Sequence, residues 1–179
     1  MMQFFLAVIF AIILVSPPID NYLDVVMARH ALIQIPSLLL CGYLAGIKIN
    51  TLSFNPYGLS GLIFFTGTLI FWMIPRSLDS TVLFNSIDQI MHLNMFVAGF
   101  FLRSSISLIP FMVKVVYLIQ FIAMCAALGI LYLSINSWLC AVYTIEQQKE
   151  TGRGLLFISI AVFLLLIFWT IKTLKQQKT

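Results

Sequence analysis

Charged residues are scarce in this chain. They make up 9% of its 179 residues, whereas a soluble domain has about 25%. Hydrophobic residues make up 61%, and the mean hydropathy is +1.06. This composition excludes an ordinary soluble domain and predicts an integral, multi-pass protein of the cell membrane, all-α, in contact with the lipid bilayer. No loop is long enough to form a separate soluble domain, so residues 1–179 are predicted to form one membrane domain.

Other absences narrow the function. No basic stripe with interleaved aromatic residues occurs, which excludes nucleic-acid binding. No nucleophile–base set, phosphate-binding loop, dinucleotide fingerprint or zinc-protease motif is present, so the chain is predicted to be non-catalytic by itself. The cysteines Cys41, Cys125 and Cys140 have no paired spacing, and we interpret them as apolar packing residues rather than a disulfide framework or a zinc site.

Apolar runs predict six transmembrane helices in the sequence. The predicted spans are residues 1–16, 21–47, 58–75 and 83–103, a segment that begins at Pro110, and residues 155–171. The Pro110 segment is too long for one span, so it either continues to about Val142 or breaks near residues 134–136. Residues 48–57, 76–82, 104–109 and 143–153 are predicted to be connections, and Pro36 to kink the second span.

Charge distribution predicts the orientation. With six spans, the basic residues without acidic neighbours fall on one side: Lys48, Arg103, Lys114, Lys172, Lys175 and Lys178. The acidic residues fall on the other side, together with three basic ones: Asp20, Asp24, Asp79, Glu146 and Glu150, with Arg76, Lys149 and Arg153. The positive-inside rule therefore places both termini in the cytoplasm.

The fourth predicted span carries polar residues that are costly in hydrocarbon. Asp88, Gln89, His92 and Asn94 lie within residues 83–103, and an ionisable group there costs on the order of 2.5–3.5 kcal/mol. In a helix, Asp88, His92, Met95 and Gly99 share one stripe. Such residues face a protein interior and are candidates for a functional site.

His30, the other histidine, lies in the second predicted span. The proposed topology puts His30 and His92 at the same depth, roughly 10–15 Å below the outer surface. The two rings are thus expected to meet, and Arg29 is expected to pair with Asp88. Methionine sulfur together with imidazole suits Cu(I), and two imidazoles suit haem iron. We therefore predict His30 and His92 as cofactor-binding residues and, for a metal, add Asp88, Met27 and Met95; the alternative is a pair of hydrogen-bonded structural histidines.

Three stretches resemble the CtaG-type multi-pass membrane family, which is linked to cytochrome c oxidase assembly. The segment from Val26 to His30 resembles the family's HMxxH motif, with Val26 in place of the first histidine, and is followed by Pro36 and Gly42. Asp88 and His92 resemble the acidic and histidine residues of a later span. Tyr143, Glu146, Gln147, Gln148 and Gly152 are similar to the polar segment before the last span.

The resemblance implies copper supply to, or assembly of, a haem–copper oxidase in the respiratory chain. It leads to the hypothesis of a non-catalytic membrane helper whose partners are other membrane subunits, with copper as cofactor. Two alternatives remain open: a permanent accessory subunit of a membrane oxidoreductase without a cofactor, and a small haem-carrying or transport subunit. Glycines that a lone bundle would present to lipid also predict contacts with another chain: Gly42, Gly46, Gly58, Gly61 and Gly67.

Overall fold

The computed structural model describes residues 2–48, 55–135 and 139–176, and all regular structure in these ranges is helical. The all-α prediction is confirmed. The α-helices in the described ranges are α1 (Met2–Leu14), α2 (Pro17–Asp24), α3 (Met27–Arg29), α4 (Ile35–Ala45), α5 (Leu59–Met73), α6 (Pro75–Leu83), α7 (Asn85–Ile106), α8 (Phe111–Ser134) and α9 (Ile145–Gln176). A π-helical turn, His30–Gln34, joins α3 to α4, and a 3₁₀ turn, Gly46–Lys48, follows α4.

The described helices agree with a membrane protein. By length and composition, α8 and α9 can each cross a membrane. The bent pairs α1–α2 and α5–α6 raise the number of candidate spans to four if each pair is one span. α7 has 22 residues, about 33 Å of helix, but with its polar residues it is not among the described helices apolar enough to cross a membrane.

The outer surfaces of these helices are apolar. On α9, Phe157 and Phe168 are 74% and 68% exposed. On α7 the outward-facing Ile90 and Leu93 are 54% and 63% exposed, while Asp88 and His92 on the other face are buried. Hydrocarbon is the solvent that makes such a distribution stable.

The centre of the fold is the crossing of α4 and α7. A side-chain Cβ at Gly42 would overlap the main-chain oxygen of Phe96, and one at Gly99 would overlap that of Leu39. The two backbones are therefore in direct contact, as small residues permit in membrane helices. Gly46, Gly58 and Gly61 also lie against helices or loops of this chain, and only Gly67 among the five predicted glycines faces open space.

The second predicted span differs from the observed helices at its start. Residues 21–24 belong to α2, and the extended residue Val26 separates α2 from α3. The predicted connection 76–82 is helical: these residues lie in α6, which is bent by 74° from α5. Pro75 at the start of α6 explains the bend, since proline suits a first helical turn and cannot continue the preceding helix.

The polar segment 143–153, predicted to be a loop, is helical from Ile145 onward. The Thr144 hydroxyl accepts a hydrogen bond from the Gln147 backbone N–H at 3.3 Å, so Thr144 caps α9 in the pattern T-x-x-Q. The polar residues after it are good helix formers that extend α9 beyond its apolar part.

The helix that begins after Pro110 does not continue to Val142. It is α8, which ends at Ser134, and Ile135 is extended, so the alternative of a break near residues 134–136 is confirmed. The predicted loop residues 49–54, residues 136–137 and Lys178 lie outside the described ranges.

Candidate metal centre

Helix α2 brings two carboxylates to the α4–α7 crossing. The chain bends by 63° between α1 and α2, where Pro17 and Pro18 begin α2. The bend turns α2 across the bundle, so Asp20 and Asp24, one helical turn apart, reach side chains of the π-turn and of α7.

The π-turn supplies the first imidazole. His30 and Gln34 are its first and last residues, and both are fully buried. Pro36 lies two residues after Gln34, and its ring would clash with the carbonyl four residues earlier in a regular α-helix. The wider turn relieves this clash without breaking the helix, and π-turns of this kind occur frequently at functional sites.

His30 has polar contacts at both ring nitrogens. Its Nδ1 lies 2.7 Å from Asp24 Oδ1 and 2.8 Å from Gln34 Oε1. The Thr81 hydroxyl donates to the Leu78 carbonyl at 2.8 Å, so its oxygen is left to accept from His30 Nε2 at 3.4 Å. Both ring nitrogens of His30 are thus within hydrogen-bond distance of partners, which come from α2, the π-turn and α6.

Gln34 joins this half of the cluster to α7. Its amide nitrogen donates one hydrogen to Asp20 Oδ1 at 2.6 Å and the other to His92 Nε2 at 3.0 Å. The two histidines predicted to meet are thus held in one cluster, but through Gln34 rather than ring to ring. Because His92 Nε2 accepts this hydrogen, a neutral His92 ring carries its own proton on Nδ1, and a metal ion bound at Nδ1 would have to displace that proton.

The second half of the cluster is less completely bonded. His92 Nδ1 lies 3.4 Å from Asp88 Oδ2, and His92 Nε2 lies 3.4 Å from Asp20 Oδ1. His92 Nδ1 and Asp88 Oδ1 are buried without a hydrogen-bond partner. Buried polar atoms are nearly always paired, so these two atoms indicate a place where a ligand would bind.

Asp20, Asp88 and His92 offer ligand atoms that all lie within 4.8 Å of one another. Imidazole and carboxylate bonds to a metal are about 2.0–2.2 Å, which allows two ligand atoms up to about 4.4 Å apart. The three groups are therefore close enough together to be candidates for one coordination shell.

A short segment, residues 139–144, covers the cluster on the side of Asp24. The Tyr143 hydroxyl donates to the Asp24 main-chain oxygen at 3.0 Å. Asp79 fixes the segment by accepting backbone N–H groups of Ala141 and Val142 at 2.7 Å and 3.3 Å. Burial, and then the Asp79 charge, raise the pKa of the Cys140 thiol to about 12, so this thiol is unreactive at neutral pH.

The other predicted residues lie around the cluster. Met27 and Met95 are fully buried in the hydrophobic core, each three residues from one of the two histidines along its helix. Arg29 does not pair with Asp88. It is on the outside of the bundle, where it donates to the Tyr22 carbonyl at 3.3 Å and stacks over the Tyr22 ring at 4.3 Å. Arg29 is only half-buried, whereas Asp88 is 3% exposed.

Haem does not fit between the two rings in this arrangement. Two axial imidazole nitrogens must lie about 4 Å apart across the iron, with a clear plane between them. The Gln34 amide occupies that space and bonds to both histidines.

Sequence reasoning missed Gln34, Thr81 and the direct roles of Asp20 and Asp24. Gln34 carries a detectable signal, because an amide four residues after His30 in an apolar segment needs a buried partner. For Asp20 the signal is weaker, because a carboxylate just before a predicted span is expected to be exposed at the end of the helix. Its contact depends on the bend at Pro17.

No protein-family model, curated protein or solved structure matches this chain.

Proposed function

We propose that this protein is a non-catalytic membrane helper that binds a transition-metal ion for a membrane oxidoreductase, in the way the CtaG-type resemblance implies. One observation carries the proposal: Asp20, Asp88 and His92 converge in the bundle, with buried atoms of Asp88 and His92 unpartnered. Leaving such atoms unpaired costs about 1–3 kcal/mol each, and a bound cation would remove that cost.

The donor set is compatible with copper. Two carboxylates and one imidazole suit Cu(II) and other borderline divalent ions, whereas Cu(I) prefers sulfur. Met27 and Met95, one turn from the two histidines, are the sulfur donors that a change to Cu(I) would use. Gln34 and His30 would orient the ligands from behind, as hydrogen-bonded partners of metal ligands commonly do.

A permanent accessory subunit is the second candidate. It is favoured by the half of the cluster that is already complete, in which His30, Asp24, Gln34 and Asp20 satisfy one another. In that case the cluster stabilises the α2–α4–α7 junction and binds no metal. A transport role would use the same ionisable groups as a relay, and the haem-carrying version would require Gln34 to move out of the space between the rings.

We also propose the six-span topology with both termini in the cytoplasm. The first span would be α1, and the second would be the continuous segment that runs from α3 through the π-turn to the end of α4. The other four would be α5, α7, α8 and α9. Two features support it. The ionisable residues Asp88 and His92 of α7 are buried, and the acidic residues Asp24 and Asp79 both contact residues 139–144 at one end of the bundle. Arg103 and Lys114 line a cavity elsewhere that has no acidic lining residue among the described ones.

Metal content is the direct test. The protein purified in mild detergent would be loaded with Cu(II), Cu(I) or Zn(II), desalted and analysed for bound metal. We expect stoichiometric binding of at least one of these ions and its loss in His92→Ala and Asp88→Asn. Asn94→Ala is the matched control, because Asn94 is a polar residue of α7 outside the cluster.

Co-purified partners and spectra separate the candidates. A copper helper should bind metal, and loss of His92 should lower the yield of active oxidase in cells. Wild-type protein without metal that still co-purifies with an oxidoreductase would replace the helper proposal with the accessory subunit. A Soret absorption band in the purified protein would indicate the haem-carrying alternative.

A further inference from the structure

A second site lies away from the metal cluster, where α8 and α9 face α4, α5 and α7. It is a cleft of about 740 Å³, within the ~300–1,000 Å³ range of small-molecule sites. Leu165, one of its lining residues, is 66% exposed on the outer face of α9. The cleft is therefore open sideways toward the lipid, and a molecule could enter it from the bilayer.

The cleft is basic at one end and apolar at the other. Arg103 and Lys114 line it together with Ser107 and Tyr43, and none of the described lining residues is acidic. The cleft runs inward for about 10 Å between two antiparallel helices. It follows α8 from Lys114 to Phe121 and α9 from Trp169 back to Val162. The lining beyond the basic end consists of Leu118, Phe121, Phe65, Val162 and Leu166, with Tyr117.

The basic groups are arranged to receive an anion. Arg103 Nη1 donates to the Tyr43 hydroxyl at 3.2 Å, and its guanidinium lies 5.3 Å from the Tyr43 ring centroid. These contacts fix the side chain and leave other N–H groups free to donate. Lys114 has no acceptor among the described residues. A half-buried ammonium beside an apolar cleft favours a negative group that enters with an apolar tail.

We propose that this cleft binds one anionic phospholipid, with its phosphate between Arg103 and Lys114 and an acyl chain along the α8–α9 groove. An amphiphile with a negative end matches both the charge and the direction of the cleft. Basic pockets between membrane helices on the cytoplasmic side commonly bind anionic headgroups. Trp169 at the same end is the kind of residue found at the level of lipid headgroups. The site is independent of the Asp20–Asp88–His92 cluster and of the function proposed for it.

Lipid titration tests the proposal. The protein in dodecyl maltoside would be titrated with dioleoylphosphatidylglycerol or dioleoylphosphatidylcholine, and bound lipid counted by native mass spectrometry. We expect one phosphatidylglycerol to bind in preference to phosphatidylcholine. Lys114→Gln should weaken that binding about fivefold, and R103Q/K114Q about thirtyfold, since each basic group contributes a similar amount. Glycerol 3-phosphate alone should not compete, because the acyl chain supplies much of the affinity.

Matched variants control for folding and for bulk charge. Arg153→Gln removes an exposed positive charge at the other end of α9 and should leave binding unchanged. Val162→Trp fills the cleft and should abolish binding, whereas Ile160→Trp, on a face that is 60% exposed, should not. Lys114→Gln keeps the proposal testable if Arg103 is needed for folding, since Lys114 makes no such contact with Tyr43. Equal binding of phosphatidylcholine, or unchanged binding in K114Q and V162W, would overturn the proposal.

Discussion

Gly42 of α4 and Gly99 of α7 face each other's backbones at the helix crossing that carries the polar cluster. Phe96 O lies where a side chain of Gly42 would begin, and Leu39 O lies where that of Gly99 would begin. This close approach places the π-turn before α4 beside the first turns of α7, so that Gln34 can bond to His92.

Gly42→Val and Gly99→Val should therefore destabilise the fold strongly. Overpacking typically costs about 1–3 kcal/mol, and here the obstructing atoms are backbone and cannot rotate away. The measurement is the thermal unfolding midpoint in detergent. Gly67→Val is the control, because a Cβ at Gly67 meets no atom within 4 Å. Equal midpoints for Gly42→Val and Gly67→Val would show that the crossing is looser than described.

Gln34→Leu should unfold more easily than the wild type. The substitution removes the donor to Asp20 and His92 and one acceptor of His30, and each buried group left unpaired costs about 1–3 kcal/mol. Denaturation in a mixed detergent series would measure the loss. Ile33→Leu, next to it on a surface that is 52% exposed, should have little effect. A fully stable Gln34→Leu protein would mean that water replaces the amide.

The Cys140 thiol should resist alkylation in the folded protein. Its pKa of about 12 compares with about 8.5 for a free cysteine, so the neutral thiol prevails at pH 8. Maleimide labelling of a Cys41→Ala, Cys125→Ala protein would measure the rate, with Thr144→Cys added as an exposed control. Rapid labelling of Cys140 at pH 8 would contradict the burial of this segment.

The same shift has a consequence for stability. Because the folded pKa of Cys140 is raised, its contribution to stability is complete below about pH 8.5. That contribution falls as the pH increases toward the folded value of about 12. Replacing Cys140 by Ala should remove this loss of stability at alkaline pH. Comparison of the unfolding midpoints of the two proteins between neutral pH and pH 10 would detect it.

A reporter fused after Thr179 should read as cytoplasmic. The basic residues of the α9 end, and Arg103 and Lys114, are expected inside by the positive-inside rule. Green fluorescent protein at this position should fluoresce, and alkaline phosphatase should be inactive. An active phosphatase fusion would refute the proposed orientation, and with it the cytoplasmic placement of the lipid cleft.

Local sequence determined the class of the protein and most of its helices. Hydropathy acts over each run of residues by itself, so the apolar segments were predictable without tertiary contacts. The break near Ser134 was one of two alternatives that the length of its segment left open. The T-x-x-Q pattern at Thr144 is also a local signal for the start of α9. The polar composition of residues 143–153 led to the prediction of a loop instead. Burial of Asp88, His30 and His92 followed from the cost of ionisable groups in hydrocarbon.

Tertiary structure alone decided how these groups meet. Proline at position 17 predicts the end of a helix, but the direction in which α2 leaves depends on packing, and that direction delivers Asp20 to His92. The π-turn before Pro36 sets where Gln34 points, and Gln34 rather than a direct contact joins the histidines. Arg29 was expected beside Asp88 because opposite charges attract. The structure places it outside, since an aromatic ring and a carbonyl at the surface accommodate a guanidinium without the cost of desolvating it.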